Sequence, residues 1–238
     1  MRSRSEAGSS KHGQPATGRW NEPARPLTWL GSNDAASRAL DPTNQDVHLI
    51  TGYLSSGEAD GLFAALRALC GWRQDSIRLF GKTHPLPRLH RWFALSTQAY
   101  RWSGIDMQPE PFPAAVLPAL MRLRKETGVP FNSALANWYR DGRDSVGWHA
   151  DDEPELGDKP AIASLSLGDT RRFVLRRKRD LSTRVSLQLT HGSLLWMAGS
   201  TQQEWEHSVP KTAKPVGARI NLTFRVIQDS TRGRAPER

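Results

Sequence analysis

The stretch GWHADDEPE, residues 147–155, gathers His149, Asp151, Asp152 and Glu153 into five consecutive positions of a strongly basic chain. A solvated acidic turn would account for it, and so would a metal site. Residues two apart on an extended strand face the same way, so His149 and Asp151 can reach one ion from one strand end. Neutral imidazole with carboxylate is a ligand set for first-row metals, and two histidines with one carboxylate form the facial set that holds iron(II). A lone H-x-D recurs by chance, so a third ligand decides the matter. His12 lies in an N-terminal tail, and His48, His84 and His90 precede the strand-rich region. His191 opens the hairpin-like HGSLLWM, where a structural role is the ordinary reading. His207, in WEHSVP just before the last strand, is the candidate.

A second constellation follows His207 closely. If ARINLTFR, residues 218–225, is a strand, Ile220, Leu222 and Phe224 share one face while Arg219, Asn221, Thr223 and Arg225 share the other. Such a polar face could be the solvent side of an edge strand. Upstream, however, NWY places Asn137 and Tyr139 on a common strand face, ten residues before the histidine of the H-x-D. Together these supply two guanidiniums, two amides and a phenol. Arginine binds carboxylates bidentately, and the amides and phenol supply the remaining hydrogen bonds. A metal beside a dicarboxylate pocket implies 2-oxoglutarate as co-substrate.

These residues need a rigid frame. Residues 1–45 are rich in Ser, Gly, Pro, Asn and Arg without sustained periodicity, which reads as a mostly disordered basic tail. Residues 229–238, DSTRGRAPER, read the same way, leaving 46–228 as the folded domain. Ser55 stands three residues before Glu58 in SSGEADGLFAALRALC, a capping-box pattern, and Leu62, Phe63, Leu66 and Leu69 then form an apolar stripe. A second helix is predicted from Pro113 to Thr127, ending at Gly128. From Phe131 onward short strands alternate with turns: FNSALANWYR, AIASLSLG, RRFVLRR, RVSLQL, GSLLWMAG and ARINLTFRVI. Helices first and many short strands after predict an α+β fold, mainly β, built as an antiparallel sandwich or barrel.

Composition bounds the class. The chain has 238 residues, enough for one large domain with tails. A core of roughly 180 residues buries about 70% of its unfolded surface and needs no staples. The single cysteine, Cys70, excludes an internal disulfide framework and a Cys-rich zinc site. The N-terminus lacks an apolar signal region and no stretch approaches a membrane span, so a soluble protein of the cytoplasm, or of the nucleus in a eukaryote, is expected, with no membrane partner. A net charge of +9 and a pI of about 10.3 favour polyanionic partners. Nine tryptophans among basic residues suit base stacking and suit a core equally well.

With His149-x-Asp151, His207 and Arg219-x-Asn221-x-x-x-Arg225 in view, the chain resembles the AlkB family of iron(II)- and 2-oxoglutarate-dependent dioxygenases, in the branch that repairs nucleic acids and includes the animal homologues 2 and 3. FNSALANWYRDGRDSVGWHADDEPELG, IASLSLGDTRRFVLRRK, HGSLLWM and ARINLTFR carry the likeness, which runs from about Phe80 to Ile227. The resemblance implies a double-stranded β-helix, or jelly roll, braced by helices. It makes His149, Asp151 and His207 the ligands of Fe(II), and Asn137, Tyr139, Arg219, Asn221 and Arg225 the 2-oxoglutarate pocket. Arg219 would pair with the distal carboxylate beside Tyr139, and Arg225 would serve the carboxylate nearest the metal. Asp152 and Glu153 match positions that contact the methylated base. A nucleotide-recognition lid is implied over residues 78–106, with Tyr100 and Trp102 around the base, Phe93 as a stacking partner and Phe80 as an intercalating residue. Arg176, with Arg177 and Lys178, would meet phosphates.

The implied reaction is oxidative demethylation of N-alkylated bases such as 1-methyladenine and 3-methylcytosine in DNA, with RNA a further substrate, by a monomer that consumes 2-oxoglutarate and O2 and releases succinate, CO2 and formaldehyde. The competing readings are a related oxygenase acting on RNA or a protein side chain, and a basic nucleic-acid-binding jelly roll without enzymatic activity. The second leaves the arginine pair on the final strand unexplained, and a zinc hydrolase would leave Arg219 and Arg225 unexplained too.

Overall fold

The computed structural model describes the backbone of residues 37–41, 44–79, 81–95, 100–102 and 105–228, and the side chains of 46–78, 81–95 and 108–228. Antiparallel strands dominate. A seven-stranded major sheet runs, in spatial order, β1 (Ser37–Asp41), β2 (Asn44–Ile50), β13 (Leu194–Met197), β10 (Ile162–Gly168), β15 (Arg219–Arg225), β8 (Ser133–Tyr139) and β5 (Leu89–Ala94). A four-stranded minor sheet faces it: β12 (Arg184–Leu189), β11 (Arg171–Arg177), β14 (Trp205–Val209) and β9 (Val146–His149). Two hairpins, β3 (Ser76–Leu79) with β4 (Lys82–Pro85) and β6 (Tyr100–Trp102) with β7 (Ile105–Met107), occupy the stretch read from sequence as a lid. The two main sheets make the jelly roll.

Helix α1 (Ser56–Arg67) begins where the capping box places it: Ser55 Oγ accepts from the Glu58 N–H, and the Glu58 carboxylate accepts from the Ser55 N–H at 2.8 Å. Its stripe of Ala59, Leu62 and Leu66 is buried. Helix α2 (Leu117–Thr127) starts later than Pro113, because Pro118 lacks an N–H and fits only in a first turn. Gly128, at φ 71°, caps its end with a main-chain bond to Arg124.

The major sheet has an apolar face on each side. Ile220, Leu222 and Phe224 of β15 turn outward and join α1 and α2 in one core cluster with Leu62, Leu66 and Leu120. Between the sheets lies a second cluster, including Phe173, Leu175, Leu187, Leu195 and Met197. β15 therefore sits in the middle of the sheet, not at an edge, and all seven of its residues are buried. Its polar face points into the jelly roll rather than into solvent.

Several expectations are corrected by this architecture. Strand β1 falls within the segment 1–45 expected as tail, paired with β2 through Ser37 and Ile50. Strands also precede α2, so helices do not simply come first. Gly168 closes the β10–β11 turn at φ +85°; a Cβ there would lie 2.3 Å from the Ala218 carbonyl oxygen and 2.8 Å from the Phe63 ring. No other residue type fits that turn without moving β15 or α1.

Candidate metal and co-substrate site

The site forms where β9 and β14 meet. His207 pairs with His149 across the ladder, and Val209 with Val146, so β9 carries one extra residue. This bulge puts Val146 and His149 on the same inward side despite their spacing of three. The ring centroids of His149 and His207 are 4.3 Å apart, and His207 stacks on Phe173 at 5.2 Å. Past the strand end the chain bends and returns Asp151 to the same spot. His149, Asp151 and His207 each offer a ligand atom, all within 4.8 Å of one another, so the three could hold one metal ion.

The protonation states suit a cation. Burial lowers the pKa of both imidazoles, that of His207 to about 3 with His149 adding to the effect. Both are therefore neutral at neutral pH, as ligation requires. Burial alone would raise the Asp151 carboxyl, but Arg225, His207 and His149 outweigh it and hold it at about 2. His149 Nδ1 lies 2.9 Å from the Gly147 carbonyl oxygen, a donor contact that leaves Nε2 for a ligand. His207 Nδ1 is buried without a hydrogen-bond partner among the described residues.

Beside the triad, β15 and β8 line the pocket with alternate residues. The register sets Arg219 against Tyr139 and Asn221 against Asn137. Arg225 donates to the Asp151 carboxylate at 2.6 Å, with both side chains at most 3% exposed. Asn221 is fixed by Ser164 Oγ, the Leu165 carbonyl and Thr223 Oγ1. Arg219, 1% exposed, lies over the Tyr139 ring at 5.2 Å and donates through Nη2 to Ser166 Oγ at 2.8 Å. Its Nε and Nη1 have no hydrogen-bond partner among the described residues. Burial pulls its pKa down to about 10, with Tyr139 opposing, so it remains a cation. A buried cation with unmet donors is costly unless an anion arrives. A carboxylate is the ligand whose geometry matches that fork.

All eight residues expected at the metal and co-substrate positions line this one pocket. The residues expected at the substrate divide. Phe80 lies outside the described residues, as do the side chains of Tyr100 and Trp102, whose backbone forms β6. Phe93 is corrected: it is wholly buried in the outer core, with its ring centroid 6.1 Å from that of Phe112, and offers no face to a base. Arg176 forms an ion pair with Glu206 at 2.7 Å and packs over Trp148 at 4.2 Å. Arg177 pairs with Glu204, and Lys178 donates to Asp152 at 2.9 Å. Asp152 is exposed at the site's rim with that partner, and Glu153 is half-buried, leading into the short 3-10 turn Pro154–Leu156.

Sequence reasoning missed Arg88, Ser164, Ser166 and Gln202. Arg88 lines the pocket, 3% exposed, and donates to Asn137 Oδ1 at 2.9 Å. The serines of IASLSLG, two apart on β10, carried a legible signal: polar residues alternating with apolar ones in a buried strand.

A family model described as the 2OG-Fe(II) oxygenase superfamily matches residues 46–225. The alpha-ketoglutarate-dependent dioxygenase alkB homolog 3 of Rattus norvegicus is 41% identical over 205 residues, covering 82% of this chain and 69% of that protein. The DNA oxidative demethylase ALKBH2 of Homo sapiens is 38% identical over 191 residues, covering 74% and 72%. The solved structure of OsALKBH1 superposes with a TM-score of 0.52 at 19% identity, covering 76% of this chain and 98% of that one, a likeness of fold. With the matched family, two such relatives and a His-Asp-His pocket that fits the metal, this chain belongs to the AlkB family within the 2OG-Fe(II) oxygenase superfamily, enzymes that use Fe(II), 2-oxoglutarate and O2.

Proposed function

We propose that this dioxygenase removes alkyl groups from N-alkylated bases of nucleic acid, with 1-methyladenine and 3-methylcytosine in DNA as the leading substrates. The buried, incompletely paired Arg219 guanidinium in the pocket of the His-Asp-His triad carries the reading, because a binding module has no use for it. Relatives named as a DNA oxidative demethylase supply the substrate class.

In this reading His149, Asp151 and His207 hold iron(II), whose chemistry with 2-oxoglutarate and dioxygen is oxidation of the substrate methyl C–H bond. Arg219 and Tyr139 take the distal carboxylate of the co-substrate, with Asn137 and Asn221 along its length. Arg225, held against Asp151, places a second positive charge toward the proximal carboxylate. The methyl lies on the pairing edge of the base, so the base must leave the stack to reach the pocket. These lesions are cationic, and the acids at the rim favour a cation. Lys178 already offsets part of the Asp152 charge.

The test is formaldehyde release from the iron-loaded protein given 2-oxoglutarate and air, with methylated DNA, methylated RNA and a methyl-lysine peptide in separate arms. Formaldehyde from methylated DNA in step with succinate supports the reading. Release from the peptide alone would contradict it, and release from RNA alone would move the substrate to the other nucleic acid.

A further inference from the structure

Gln202 lies on α3 (Thr201–Glu204), a single turn between β13 and β14, far in sequence from the H-x-D. Its side chain is 1% exposed, and its Oε1 accepts the main-chain N–H of Asp151 at 3.0 Å, itself 1% exposed. Its Nε2 points at Met197 Sδ, 3.8 Å away. The Gln202 carbonyl accepts from Lys178 Nζ at 2.8 Å, and the same ammonium holds the Asp152 carboxylate. The turn thus grips the Asp151–Asp152 segment twice, once by a buried amide and once through a lysine. Asp151 lies beyond the end of β9, so no ladder bond fixes its backbone.

We propose that Gln202 is a positioning residue for the metal-binding carboxylate: it fixes the Asp151 backbone so that its side chain meets the two imidazoles. The inference rests on reading His149, Asp151 and His207 as a metal site. Partners that orient ligands typically matter by 10–100-fold in metal affinity when removed. A buried amide that only filled space would influence folding and leave the metal untouched.

The experiment titrates Co(II) into the full chain by calorimetry and follows the rise in Tm that the metal produces over each variant's own metal-free Tm. Gln202→Met removes the acceptor at similar volume and is expected to weaken Co(II) binding by about 10–100-fold, with a correspondingly smaller metal-induced rise. Gln202→Asn, one methylene short of Asp151, covers the case in which the methionine variant fails to fold, and the same loss is expected. Gln202→Glu keeps an acceptor oxygen and is expected to bind more tightly than either. Thr201→Ala removes buried side-chain volume from the same turn, and should lower the metal-free Tm while leaving Co(II) affinity unchanged. Wild-type-like affinity in Gln202→Met, or in Gln202→Asn, overturns the proposal. If Co(II) binding is absent from the wild type, or survives His207→Ala, the metal reading itself falls, and the proposal falls with it.

Discussion

Arg219 is a residue whose environment makes sense only with a ligand. Its donors are buried and incompletely paired, and a buried guanidinium with unmet donors destabilises the ligand-free fold. Arg219→Met is therefore expected to keep or raise the Tm of the ligand-free protein and to abolish the further rise that 2-oxoglutarate gives the wild type. Arg219→Lys keeps the charge but loses the fork, and the KM for 2-oxoglutarate should rise roughly 10–100-fold, as expected when charge-assisted hydrogen bonds are removed. Steady-state kinetics with the co-substrate varied checks this. The alternation of ARINLTFR made this face legible in the sequence. Gln202 was not legible, because nothing in STQQEWEH marks an amide that reaches a residue 51 positions away. Phe93 misled for a related reason: both Trp92 and Phe93 of β5 are buried, one in a small cluster with Leu86 and Leu135, the other in the outer core. Residue type alone could not tell a stacking aromatic from a packed one.

At the scale of elements, turns and caps carry specific weight. Ser55→Ala removes the capping box of α1 and should lower stability by about 1 kcal/mol, read from urea unfolding with an unchanged m-value. Gly168→Ala should cost about 2 kcal/mol or more, since φ +85° and the Ala218 carbonyl both oppose a Cβ. His90, on β5, is buried, and burial lowers its pKa against the opposing pull of Asp75. Its unfolded value is near 6.5, so the unfolded chain takes the proton first. The contribution of neutral His90 to stability is thus present above pH 6.5 and is lost as pH falls towards its folded pKa. A His90→Gln variant should show a shallower fall in stability from pH 7 to pH 5 than the wild type. The capping box, the glycine stop of α2 and the alternating strands β8, β10 and β15 were legible because local chemistry and tertiary packing agree there. The start of α2, strand β1 and the bulged β9 were not: β1 is an edge strand paired with the adjoining β2 in a stretch without alternation, the distant β14 sets β9, and one proline sets the helix.

Across the whole molecule the net charge of +9 favours a polyanionic partner. Arg172, Lys211 and Lys214 make no ion pair among the described residues and surround a cleft of about 290 Å³ with Thr170, Gln188 and Thr212. Binding to a single-stranded oligonucleotide should weaken steeply with salt, and Lys211→Ala with Lys214→Ala should reduce the slope of log K against log salt by roughly 1 for each phosphate left without its lysine. The central claim joins that surface to the pocket: one chain that binds nucleic acid and demethylates it through His149, Asp151, His207 and Arg219. Mass spectrometry of a 1-methyladenine oligonucleotide, after incubation with iron(II), 2-oxoglutarate and air, tests it most directly. Loss of one methyl mass with the wild type, and none with His207→Ala, is the predicted result. An unchanged oligonucleotide with the wild type, or equal loss with His207→Ala, would contradict it.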